Sequence, residues 1–131
     1  VIACRARMGA EGFRTVKTHS QIGYEVLKPL QSISSALDAA RYHHERMNGT
    51  GYPKGLCEED IPLCARIVAV ADAYDAMTHD RPHRLGISAH MAVQELQRCS
   101  PAGYDIDCVN ALAGCLSFPV LERTLAPAAG N

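Results

Sequence analysis

The stretch Pro62-Leu63-Cys64-Ala65-Arg66-Ile67-Val68-Ala69-Val70-Ala71-Asp72-Ala73-Tyr74-Asp75-Ala76-Met77-Thr78 decides the fold. Proline suits the first turn of a helix, where its missing N–H would have had no intrahelical partner. The residues that follow are apolar almost all round, with Ile67, Val68, Val70 and Met77 set among alanines. A helix of that kind is expected at the buried centre of a domain. Pro82 prevents its continuation.

Helical signals recur on both sides. Gly12 to Leu27 carries Phe13, Val16, Ile22 and Val26 at helical spacings, and Pro29 marks its end. Ser34 is expected to cap a helix running through Arg46. Asn48 to Gly55 holds three glycines and a proline and must be a loop. Ser88 can cap a helix to about Cys99, Ser100-Pro101-Ala102-Gly103 turns the chain, and a last helix is expected from about Asp105 to Phe118. Strand signals are poor, because no long β-branched alternation appears. The expected fold is therefore all-α, with about five helices over residues 1–118 and a loose C-terminal tail over residues 119–131.

The 131 residues suffice for one domain and not for two. Lys+Arg is 13 and Asp+Glu is 14, so no basic excess marks a general polyanion binder, though a few local cations could still hold a small anion. The longest charge-free stretch, Cys108 to Leu121, is interrupted by Pro119 and too short to span a bilayer. The six cysteines form no CxxC pair, which argues against a zinc ribbon. A cytoplasmic protein with free thiols is expected, with Cys108 and Cys115 as small core residues on one face of the last helix.

The chemistry concentrates in His43-His44-Glu45-Arg46-Met47-Asn48-Gly49-Thr50-Gly51-Tyr52-Pro53. Neighbours on a helix point about 100° apart, so His43 and His44 at a helix end would serve different ions in a multi-metal centre. A solvated pair favoured by the helix dipole is the competing reading. Gly49 and Gly51 let the backbone approach a ligand closely, and successive amides in such a turn can cradle a phosphate. Tyr52 offers a ring for stacking on a base and a hydroxyl for a phosphate. Asp72 is a carboxylate in the most apolar helix and needs a partner, either a metal shared with the histidines or a salt bridge to Arg66 or Arg84. Arg81 and Arg84 could grip phosphate oxygens or simply complement a helix C-terminus. His79, His83 and His90 are expected at the surface.

Together, HHExxxGxGYP, the helix with Ala-Asp-Ala-Tyr-Asp-Ala and the Asp-Arg-Pro-x-Arg that follows resemble the HD-GYP family. These are cyclic di-GMP phosphodiesterases of the HD metal-phosphohydrolase superfamily. The likeness runs from about Glu11 to Leu112, with His44 and Asp72 separated by 28 positions. Lys-Thr-His-Ser-Gln-Ile-Gly resembles the family's upstream Lys-x-His-x-x-x-Gly, which raises His19 to a candidate ligand. The resemblance implies His19, His43, His44 and Asp72 as metal ligands. It implies Tyr52, Arg81 and Arg84 as contacts to the dinucleotide phosphates, with Gly49 and Gly51 shaping the loop. It implies two or three divalent ions, iron or manganese, in the complete domain. The implied partners are cyclic di-GMP and diguanylate cyclase or receiver domains, with no nucleic acid. Asn48 stands where the family usually has Asp. The His-Asp doublet is absent from residues 1–10, so the chain is expected to be the C-terminal portion of a partial HD-type bundle, with little hydrolysis of its own. The alternative is a non-catalytic module for protein interaction or cyclic dinucleotide binding.

Overall fold

In the computed structural model, which describes residues 10–122, the chain forms five α-helices: α1 Ala10–Leu27, α2 Ser34–Tyr42, α3 Leu63–Thr78, α4 Ala89–Arg98 and α5 Ile106–Cys115. One-turn 3-10 helices lie at Gln31–Ile33 and Glu58–Asp60, and no strand occurs among the described residues. Helices α1 to α5 pack in sequence, each on the next, and α5 also returns to α3.

Small residues let α3 sit between its neighbours. Ala65, Ala69, Val70, Ala73 and Met77 are buried, and Ala69, Val70, Ala73 and Met77 form one core with Ala92, Leu96, Tyr104 and Val109. The expectation that α3 is buried all round needs correction. Leu63, Ile67 and Val68 are 56%, 51% and 38% exposed, and Asp72 is exposed as well. Leu63 and Ile67 line an open groove of about 440 Å³ between α3 and α5 with Ala111, Leu112 and Cys115. Cys115 is therefore exposed rather than part of the core, whereas Cys108 packs against it.

Side-chain caps set the starts of α4 and α5. Ser88 Oγ accepts from Met91 N–H at the start of α4, as its sequence predicts. Asp105 does the same for α5 by accepting from Asp107 N–H, and it also takes the Arg66 guanidinium at 2.6 Å. Ser34 is not a side-chain cap, because Gln31–Ile33 runs straight into α2 and leaves Ser34 in helical geometry. Helix α2 stops at Tyr42 rather than Arg46, since the chain turns away to bury Glu45. Helix α5 ends at Cys115, short of Phe118. Pro119 and Leu121 are held by Gln97 and Asn110, while most of the tail expected to be loose, residues 123–131, lies outside the described residues.

Candidate metal centre and glycine-rich loop

His43 and His44 follow the last residue of α2. His43 occupies the C-cap and His44 the turn beyond it, so the helical 100° spacing does not separate their side chains. Their rings lie 4.1 Å apart between centroids and meet His19 of α1 at 5.6 and 4.7 Å. One nitrogen from each of the three histidines falls within 4.8 Å of the others. His43 and His44 would be directed to separate ions if both stood on the helix, but α2 ends at Tyr42. A single ion is within reach of all three histidines.

The donor set fits a divalent cation. His43 Nδ1 donates to the Ala39 and Ala40 carbonyls at 2.9 and 3.1 Å, which leaves Nε2 as the ligating atom. His44 Nε2 and His19 Nε2 face each other at 2.8 Å. Two imidazoles bonded to one ion at about 2.1 Å in adjacent positions hold their nitrogens about 3 Å apart. Burial, then the His43 and His19 rings and the Arg46 guanidinium, push the His44 imidazole down to about 3. It is thus neutral, with its lone pair available, at any ordinary pH.

The glycine-rich loop is fastened to the same turn. Glu45 is only 2% exposed. Its Oε1 accepts from Lys54 N–H at 2.7 Å and Gly55 N–H at 3.2 Å, and its Oε2 accepts from Leu56 N–H at 3.0 Å. Gly49 has φ +77°, and a Cβ at Gly51 would come within 2.5 Å of backbone atoms of His44, Glu45 and Arg46. Tyr52 N–H donates to the His44 carbonyl at 3.2 Å, and its ring stacks on His44 at 4.9 Å. Lys17 Nζ lies 5.4 Å over the same ring. Asn48 Oδ1 accepts from Thr50 N–H and Oγ1, so the position that lacks the family's Asp still caps its turn.

Other candidates lie elsewhere. Asp72 is exposed on α3 and outside the three-histidine group, so it carries no buried charge in need of a partner. Arg66, one of its expected ion-pair partners, binds Asp105 instead. Arg81 and Arg84 pair backbone to backbone in an exposed turn, and the Arg84 guanidinium donates to the Ala76 and Met77 carbonyls at the end of α3. That is the helix-terminus role. His79, His83 and His90 are exposed, as expected. Sequence reasoning gave Glu45 no role and took Lys17 only as part of the Lys-x-His motif. A carboxylate beside a glycine-rich loop is a natural acceptor for the loop's amides, and this was the available signal for Glu45.

The HD domain family model matches residues 2–107. The chain belongs to the HD domain family. It is 44% identical over 85 residues to a cyclic di-GMP phosphodiesterase of Pseudomonas aeruginosa, covering 64% of this chain and 20% of that protein. It is 40% identical over 108 residues to a cyclic di-GMP phosphodiesterase response regulator of Xanthomonas campestris, covering 81% and 29%. The fold is that of a crystallised cyclic GMP-AMP-specific phosphodiesterase of Vibrio cholerae, with a TM-score of 0.69 at 23% identity, covering 86% of this chain and 26% of that one. The chain thus spans between a fifth and a third of the length of these relatives. They support the HD-GYP resemblance of the HHExxxGxGYP segment. No described helix is long and apolar enough to cross a membrane.

Proposed function

We propose that this HD domain chain is part of a cytoplasmic, metal-dependent phosphodiesterase module of bacterial second-messenger signalling that cleaves cyclic di-GMP to the linear dinucleotide or GMP. The observation that carries this reading is the meeting of His19, His43 and His44 beside a loop built on Gly49, Gly51 and Tyr52. The three histidines would hold iron or manganese, and Asp72 of α3, which lies outside their group, would become a further ligand by closing on the ion. Such a centre supplies a polarised phosphoryl oxygen and an acidified water. Tyr52, Arg81 and Arg84 would meet the dinucleotide phosphates. For Arg84 this means giving up the α3 carbonyls. The relatives' names supply the substrate class, a cyclic dinucleotide. Diguanylate cyclase or receiver domains are the proposed protein partners.

The alternative, a module that binds without hydrolysis, is favoured by one observation: among the described residues the group holds three imidazoles and no carboxylate. A bridging carboxylate normally offsets the repulsion between two close cations. The test is titration of the purified chain with manganese or ferrous iron, followed by thermal unfolding and a hydrolysis assay. A metal-dependent rise in midpoint that vanishes in His19→Ala and His44→Ala supports the centre. No shift with either metal would refute it. Multiple-turnover release of linear dinucleotide would refute the binding-only alternative.

A further inference from the structure

Lys17 belongs to no proposed ligand or substrate contact, yet it reaches the centre of the site. It lies on α1, two residues before His19, and its ammonium sits 5.4 Å over the Tyr52 ring. A cation within about 6 Å of a ring centroid is attracted by the ring's quadrupole. The Tyr52 ring is at the same time stacked on His44, 4.9 Å between centroids at 21°, and its backbone N–H donates to the His44 carbonyl. His44 Nε2 in turn faces His19 Nε2 at 2.8 Å. Two side chains of α1, two residues apart in sequence, therefore meet neighbouring parts of the site: His19 the histidine turn and Lys17 the tyrosine of the loop.

We infer that Lys17 is a positioning residue that holds the Tyr52 ring on His44 and so sets the geometry in which Tyr52 meets a cyclic dinucleotide. The part of this inference that concerns the ligand rests on the proposed function. The part that concerns Tyr52 does not. A lysine serving only as a solvated residue of α1 would leave Tyr52 indifferent to its removal. An ammonium that orders the ring makes Tyr52 respond to Lys17, and any cation of similar reach can substitute. Arginine, which also lies readily over aromatic faces, should therefore preserve the arrangement. With the His44 imidazole stacked on its ring, Tyr52 keeps at most one face for a guanine base.

The experiment compares Lys17→Ala and Lys17→Arg with the unaltered chain, using tyrosine-selective ring labelling in nuclear magnetic resonance and calorimetric titration with cyclic di-GMP. Backbone amides of α4 and α5 serve as the check on folding. The expected result is a displaced and broadened Tyr52 ring signal in the alanine variant, native-like signals in the arginine variant, and binding weakened roughly two- to five-fold by alanine alone. Tyr52 signals in Lys17→Ala that superimpose on those of the unaltered chain would overturn the positioning role. A displaced Tyr52 with unchanged affinity would overturn its link to the ligand. If the unaltered chain binds no cyclic di-GMP, the proposed function fails, and the Tyr52 signals still decide the role of Lys17.

Discussion

Replacing Glu45 by glutamine removes one oxygen acceptor and one charge from beneath the glycine-rich loop while keeping the size of the side chain. The carboxylate accepts three backbone N–H groups, two on Oε1 and one on Oε2, and is almost wholly buried. A glutamine can offer its one carbonyl oxygen to Lys54 and Gly55, but its NH₂ then faces the Leu56 N–H, donor against donor. Each hydrogen bond to a charged group contributes about 1.5–3 kcal/mol, and a buried donor left without an acceptor costs about 1–3 kcal/mol. Losing one such bond and weakening two others should destabilise the closed loop by roughly 2–4 kcal/mol. At 1.4 kcal/mol per decade, that raises the population of the open loop by about thirty- to a thousand-fold. Amide hydrogen exchange reads this directly. Lys54, Gly55 and Leu56 should exchange faster by a factor in that range, while amides in α4 and α5 change far less. Exchange at those three amides within twofold of the unaltered chain would refute the idea that Glu45 holds the loop.

Gly51→Ala should lower the thermal midpoint by the equivalent of about 1–3 kcal/mol, because its Cβ meets backbone atoms at 2.5 Å. Gly114→Ala in α5, where nothing lies within 4 Å, should instead stabilise by roughly 0.5–1 kcal/mol. A double-mutant cycle on Arg66 and Asp105 should return a coupling of about 1.5–3 kcal/mol, since the pair is largely buried at 2.6 Å. Asp105→Ala should cost more than Arg66→Ala because it also uncaps α5. For His44 the folded pKa of about 3 lies below the ordinary 6.5, so between these values the unfolded chain binds the extra proton. Metal-free stability should therefore be full above about pH 6.5 and decline as pH falls from 6.5 toward 3, and His44→Gln should flatten that slope in denaturant titrations.

The helices were legible because their signals are local. Proline at the start of α3, Ser88 at the start of α4 and the glycine cluster after α2 each act within a few residues. The end of α2 was not, because it is decided by a distant event: Glu45 must leave the helix to meet amides nine to eleven positions further on. That same departure brings His43 and His44 side by side, which helical spacing argued against. The burial of Asp72 was misjudged for a related reason. Apolar composition all round a helix does not say which faces find a neighbour, and α3 leaves Leu63, Ile67 and Asp72 uncovered. Arg84 illustrates a choice that sequence leaves open, since a cation after a helix can serve its carbonyls or an anion. Here the carbonyls have it.

His19 and His44 stand 25 positions apart in the chain, one exposed on α1 and one in a turn. An ion held by both would be a reversible cross-link that closes a loop of that length. In the chain-entropy account of disulfides, a 15-residue closure is worth about 3 kcal/mol and longer ones somewhat more. A chelator would then act on this protein much as a reductant acts on a disulfide-bonded one, freeing α1 to detach. Under tension, a pull on the N-terminal end of α1 would meet the ion as a mechanical clasp. Its rupture force would report occupancy one molecule at a time, without any substrate present.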